Sequence, residues 1–248
     1  QTCALPIWVS YKANAAGLRA ERDYDARPAQ GTPRIAAFGD SYTYCEHVEN
    51  RDCWTAILEQ QWPSVEVLNY GVPAYGPDQA WLRYQRDGAT NGACGVLIGY
   101  MSENVNRVVN RFRPFYKPPD GFVMSKPRFL LNDDGLRLLP NAVTDIHQLQ
   151  DPRWVEATLG PGDRWFFPGV FTSSPLDALQ TVRVGRTAMY RYRREGEINF
   201  KSDLARQTDR PYETFDESFQ VAGRVLIEFY REVQRSGATP VIVVFGQR

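Results

Sequence analysis

Three short apolar runs constrain this chain most, because each ends in a glycine-bearing polar turn. They are Arg34-Ile-Ala-Ala-Phe38, Val65 to Leu68, and Gly95-Val-Leu-Ile-Gly99. Runs of this length bounded by turn residues read as buried strands. Between the first two, Trp54, Ile57, Leu58 and Trp62 recur at helical spacing, with Asp52 placed to cap the helix and Pro63 to stop it. Between the second and third, Gln79 to Arg86 reads as another helix. The result is a βαβαβ beginning.

The alternation lapses over residues 111–213, where Pro114, Pro118, Pro119, Pro127, Pro140, Pro152, Pro161 and Pro168 interrupt it. Apolar flanks on either side of Asp133-Asp134-Gly135 predict a hairpin there. A compact domain rarely carries an unstructured loop of this length, so the segment reads as a structured insertion of roughly a hundred residues. Thr214 and Glu217 then have capping-box spacing ahead of Phe215, Phe219, Ala222, Leu226, Phe229 and Val233, and Gly237 closes that helix. Val241 to Phe245 follows as a strand whose unbroken apolar character fits burial on both faces. The expected fold class is α/β: a doubly wound parallel sheet of the flavodoxin-like, three-layer α/β/α kind. Its core comprises residues 34–110 and 214–248, preceded by a polar arm over 8–33 that wraps the surface.

Composition narrows the function classes. Of 248 residues, 43% are hydrophobic, and 29 Lys+Arg balance 29 Asp+Glu. A neutral chain has no global attraction for nucleic acid or an anionic membrane, and no apolar run approaches the ~18 residues of a membrane span. Fingerprints for P-loops, dinucleotide sites and the Gly-x-Ser-x-Gly elbow are lacking, and no cofactor is expected.

In such sheets ligands bind beyond the carboxyl ends of the strands. The segments there are Gly39-Asp40-Ser41-Tyr42, then Asn69 to Gln79 with Gly71 and Gly76, then Gly99 to Arg107 with Asn104 and Asn106. A serine directly after a strand presents a hydroxyl beside its own N–H, as an acyl-transferring nucleophile requires. A glycine lets a second N–H approach an oxyanion, and an Asn amide adds a third donor, each typically worth ~3 kcal/mol of barrier. Taken alone, Ser41 fits a helix N-cap, Gly71 and Gly76 fit turns, and Asn104 an αL turn.

In order and spacing these segments resemble the first three sequence blocks of the SGNH/GDSL hydrolase superfamily; the resemblance covers about residues 14–107 and resumes over 214–245, leaving the insertion outside it. The resemblance implies that Ser41 is the nucleophile and that Ser41 N–H, Gly76 N–H and the Asn104 amide form the oxyanion hole. The third block departs from its usual Gly-x-Asn-Asp, which leaves Asn106 as an alternative donor to Asn104. The superfamily also carries an Asp-x-x-His pair after a fifth strand, and here the residues stop just after the fourth. The catalytic His and Asp are therefore expected beyond Arg248, and residues 1–248 alone are expected to be nearly inactive. The implied activity is acyl-ester hydrolysis, on a small ester or an O-acylated carbohydrate. An O-acyltransferase acting on polysaccharide and a silent glycan-binding module are the alternatives.

Other constellations read more plainly. His147 with Asp145 falls inside the insertion and fits a surface loop, and His47 lies six residues from Ser41 along an irregular loop. Cys45, His47 and Cys53 offer metal-ligating atoms without a fourth ligand at finger-like spacing, so no metal site is expected. Cysteine spacing dictates no pairing among Cys3, Cys45, Cys53 and Cys94. Arg183, Arg186, Arg191, Arg193 and Arg194 interleave with Tyr190 and Tyr192, which fits a solvated face or an anion-binding strip. Gln1 to Ile7 back-translates into a sequencing-adapter read and is set aside, so the true start, with any export signal or membrane anchor, is expected upstream. By analogy with exported bacterial members, the arm favours a periplasmic, extracellular or membrane-anchored location.

Overall fold

A computed structural model describes residues 9–118, 122–172, 174–206 and 216–246. The adapter-like segment 1–7 and the predicted cap Thr214 lie outside the described residues. In chain order the elements begin with β1 (Arg34–Phe38), α1 (Ser41–Tyr44), α2 (Trp54–Gln61), β2 (Glu66–Asn69), α3 (Pro77–Arg83), β3 (Gly95–Met101) and α4 (Asn104–Arg107). They continue with α5 (Arg113–Tyr116), β4 (Arg128–Asn132), β5 (Gly135–Leu139), α6 (Pro152–Leu159), α7 (Pro168–Phe171), α8 (Gln180–Arg206), α9 (Glu217–Arg235) and β6 (Thr239–Phe245). The chain divides into two compact units, Gln1–Arg107 with Ala222–Arg248, and Val108–Val221.

The first unit is built on a 4-stranded sheet in the order β2-β1-β3-β6. Every pairing is parallel, with Ala36 opposite Leu68, Ala37 opposite Leu97 and Met101 opposite Phe245. Right-handed crossovers then put α2 on one face and α3 on the other. Helix α9 joins α3: Trp81 Nε1 donates to Glu232 at 2.6 Å and the Tyr84 hydroxyl bonds Ser236 Oγ at 3.0 Å. Between them Phe38 stacks on Tyr70 at 4.5 Å and meets Tyr84 and Phe229 edge-on at 5.5 and 6.2 Å. Burying a side chain of that size contributes about 2 kcal/mol.

Several expectations need correcting in detail. Helix α2 is capped by Cys53, Asp52 belonging to a preceding 3₁₀ turn over Asn50–Asp52. Its buried residue is Thr55, while Ile57 and Trp62 are exposed, so the apolar period there did not mark the core face. Helix α9 begins at Glu217, and Asp216 Oδ1 accepts the Ser218 N–H at 2.7 Å in the capping role assigned to Thr214. Its buried stripe is Ser218, Val221, Ala222, Val225, Phe229 and Val233, leaving Phe219 and Leu226 at its margin. Strand β6 is parallel as expected but lies at the sheet edge, with Val241, Ile242 and Val244 exposed rather than covered. The arm is more than a surface wrap, since Leu18, Arg19 and Ala20 are buried.

In the second unit, β4 and β5 form the hairpin predicted around Asp133-Asp134-Gly135, pairing Leu131 with Leu136. The buried Asp163 carboxylate organises the neighbouring chain. Its Oδ2 accepts from Arg111 N–H at 2.6 Å, Phe112 N–H at 3.0 Å and Asn110 Nδ2 at 3.0 Å, and its Oδ1 accepts from Trp165 N–H at 2.8 Å. Helix α8 is tied down by the Tyr190 hydroxyl, which donates to the Tyr116 carbonyl at 2.6 Å. The arginine strip divides. Arg186 bonds the Val170 and Thr172 carbonyls, Arg194 the Tyr116 carbonyl, and Arg193 lies over the Phe167 ring. Arg183, Arg191 and Arg193 are exposed, whereas Arg186 and Arg194 are half-buried.

Candidate active site

Ser41 opens α1, the four-residue turn that follows β1 through Gly39 and Asp40. The cap is Asp40, whose Oδ1 accepts the Tyr42 N–H at 2.9 Å. Ser41 is thereby relieved of the capping role, and its half-buried side chain makes no hydrogen bond among the described residues. The turn ends at Cys45, in the left-handed region with φ 61°, whose N–H bonds back to the Ser41 and Tyr42 carbonyls.

Thr43, in the middle of this turn, is where the ends of β1 and β2 and the strand β3 meet. A Cβ on Gly39 would stand 2.2 Å from Thr43 Oγ1, and one on Gly99 would stand 2.1 Å from the same atom. Both positions need glycine because the turn after β1 and the strand β3, which runs through Gly99 to Met101 instead of ending at residue 99, pack against that hydroxyl. The loop after β2 approaches from the other side. A Cβ on Gly71 would come within 2.3 Å of the Tyr44 nitrogen, and Val72 N–H donates to the Gly39 carbonyl at 3.0 Å.

Asn69 fixes that approach. Its buried Nδ2 donates to the Thr43 carbonyl at 2.7 Å, to Thr55 Oγ1 at 3.0 Å and to Cys53 Sγ at 3.4 Å. Its Oδ1 accepts Gly71 N–H at 2.9 Å. The sequence placed Asn69 in the second block without a role; here it is the bracket that holds the serine turn to the β2 loop. Cys45 and Cys53 form a disulfide, which joins the end of α1 to the start of α2. This removes two atoms from the Cys45, His47 and Cys53 set considered as metal ligands. Among the described residues no group of three or more His, Cys, Asp or Glu side chains forms a candidate metal site.

Gly76 is the N-cap of α3, and its N–H lies 3.4 Å from Gln79 Oε1. A Cβ there would stand 2.5 Å from Asp78 Oδ1 and 3.3 Å from Arg107 Cβ, so α4 comes against the Gly76 turn. Asn104, which opens α4, is 1% exposed, and its Oδ1 is buried without a hydrogen-bond partner. Asn106 is also buried, on the same short helix.

Both histidines are exposed, and neither imidazole makes a hydrogen bond or ion pair among the described residues. His47 has its backbone N–H on the Tyr11 hydroxyl at 2.9 Å. In the second unit Asp145 accepts the His147 backbone N–H at 2.9 Å, so that carboxylate serves as a helix cap. The arm also reaches the serine loop. The Arg19 guanidinium lies between the Tyr11 and Tyr44 rings at 4.5 and 4.6 Å and donates to the Val48 carbonyl. Nothing in the sequence pointed to this clasp, since Tyr44 and Val48 lie outside the arm. Tyr42, the residue after Ser41, belongs to an aromatic group: its ring centroid is 5.5 Å from that of Phe245, and Trp54 Nε1 donates to its carbonyl at 3.1 Å.

Comparison with known proteins adds little. No family model matches the chain, and no curated protein matches it. A solved structure from Desulfitobacterium hafniense DCB-2, provisionally described as a lipolytic protein of G-D-S-L family, aligns at 24% identity with a TM-score of 0.26. The alignment covers 31% of this chain and 41% of that one. An overlap this partial carries no argument about function.

Proposed function

We propose that this chain is a serine hydrolase of the SGNH type, acting on small or carbohydrate-borne acyl esters through an acyl-enzyme on Ser41. The supporting observation is the packing of the Ser41 turn, through Thr43, against Gly39, against Gly99 in β3 and against Asn69 and Gly71 at the end of β2. In this reading the Ser41 hydroxyl and N–H share a rim with Gly76 and Asn104. In the reading, Ser41 Oγ attacks the ester carbonyl carbon while a base takes its proton. The carbonyl oxygen becomes an oxyanion that accepts from Ser41 N–H, Gly76 N–H and the Asn104 amide. The tetrahedral intermediate expels the alcohol, which receives the proton, and water then releases the acid by the reverse sequence. An Asp-x-x-His segment, of the kind the superfamily resemblance implies, is the proposed source of the base.

The test is acid release from short acyl esters by the full-length gene product, followed by titration at constant pH. The reading expects Ser41→Ala to lower the rate by at least ~10³-fold, as removal of a triad nucleophile does. Equal rates in the two proteins would discard it.

A further inference from the structure

Resting on the Ser41, Gly76 and Asn104 reading, we infer that Arg107 is a positioning residue that fixes the spacing of the oxyanion donors. Its side chain is 7% exposed and reaches all three loops. Nη1 donates to the Tyr75 carbonyl at 2.9 Å, one residue before Gly76. The same nitrogen lies 3.6 Å from Asp40 Oδ2, one residue before Ser41. Arg107 itself closes the helix that Asn104 opens, and Nη2 lies 3.6 Å from Glu103 Oε2 within that segment.

Asp40 divides its labour accordingly. Oδ1 holds the first turn of α1 through the Tyr42 N–H, and Oδ2 faces Arg107. The Asp40 side chain is 0% exposed, so this pair is cut off from solvent screening. The approach to Asp40 Oδ2 is an ion pair without a hydrogen bond, so the link rests on a planar, pre-organised guanidinium that is anchored on the Tyr75 carbonyl and keeps its charge beside the carboxylate; a lysine ammonium is a single point charge on a flexible stem. Since oxyanion donors work only when already aimed at the developing charge, slack in this linkage acts on the chemical step more than on binding.

The experiment compares wild type, Arg107→Lys and Arg107→Gln. It measures Ser41 labelling by an alkyl fluorophosphonate, resolved into a reversible binding constant and a maximal rate, together with hydrogen exchange of peptides covering 38–44, 72–78 and 102–107. Arg107→Lys is expected to lower the maximal rate by about tenfold or more, with the binding constant changed less than about twofold. Exchange should quicken in all three peptides together while the thermal transition stays cooperative. Should the Gln variant not fold, Asp40→Asn, which keeps the capping oxygen but removes the facing charge, carries the same expectation. Unchanged maximal rate in a folded Arg107→Lys protein, or faster exchange confined to 102–107, overturns the inference. If wild type takes no label at Ser41 yet exchange rises in all three peptides, the linkage stands and it is the hydrolase reading that fails.

Discussion

Asn69 Nδ2 and the Thr43 carbonyl are joined at 2.7 Å in the buried interior, which ties the end of one strand to the turn that opens at the end of its neighbour. Without the amide, the Thr43 carbonyl and the Gly71 N–H lose their buried partner. An unsatisfied buried group costs about 1–3 kcal/mol. Asn69→Ala is therefore expected to lower the unfolding free energy by roughly 3 kcal/mol, read from urea transitions with an unchanged slope.

Gly99 faces Thr43 Oγ1 across a gap with no room for a methyl group, and Phe245 Cε2 stands 3.0 Å from the same position. Gly99→Ala overpacks this spot and should destabilise by about 1–3 kcal/mol. The double variant Gly99→Ala/Thr43→Ala should recover more than half of that, because the nearest clash is with the hydroxyl that it removes. A double-mutant cycle on urea midpoints gives the coupling; simple additivity would mean that the two residues do not meet.

Burial pushes the Asp163 carboxyl up from 3.8 to about 6, against the opposing pull of the Arg111, Phe112 and Trp165 N–H groups. The folded state thus keeps a proton that the unfolded chain has already released. The stability this gives is fully present below about pH 4 and is lost as pH rises through about 6, a span worth about 3 kcal/mol. Urea unfolding of wild type and Asp163→Asn at pH 4, 5, 6 and 7 should show wild type losing stability relative to the variant as pH rises, since only wild type has a titrating group at this position.

The Cys45–Cys53 disulfide closes a loop with a sequence separation of 8. Loop-closure entropy for so short a loop gives about 2–3 kcal/mol. Both sulfurs are buried, Cys45 at 7% and Cys53 at 1% exposure, so reductant should act only after local opening. Cys45→Ser/Cys53→Ser is expected to lower the thermal midpoint and to make it insensitive to reductant, whereas wild type should fall toward the variant when reduced.

Most of the sheet was legible in the sequence because its strands are short apolar runs closed by glycine, and the hairpin because Asp133-Asp134-Gly135 sits between apolar flanks. Burial was less legible. Ile57 and Trp62 have core-like chemistry but stand exposed, while Thr55, a polar residue on the same helix, is buried because Asn69 reaches it. Val241 and Ile242 read as doubly covered because hydrophobicity records what a strand can bury, whereas coverage depends on which neighbours lie beside it. At the candidate site, Ser41, Gly76 and Asn104 were readable as residue types at known spacings. Asn69, Arg107 and Arg19 were not, since their parts are set by partners distant in sequence, such as Thr43, Asp40 and Tyr44.

The most direct measurement is mass spectrometry of the full-length gene product after treatment with a fluorophosphonate. The account predicts a single adduct on the peptide that contains Ser41, formed by wild type and lost in Ser41→Ala. An adduct retained in Ser41→Ala, or a folded wild type that takes no label at Ser41, would contradict it.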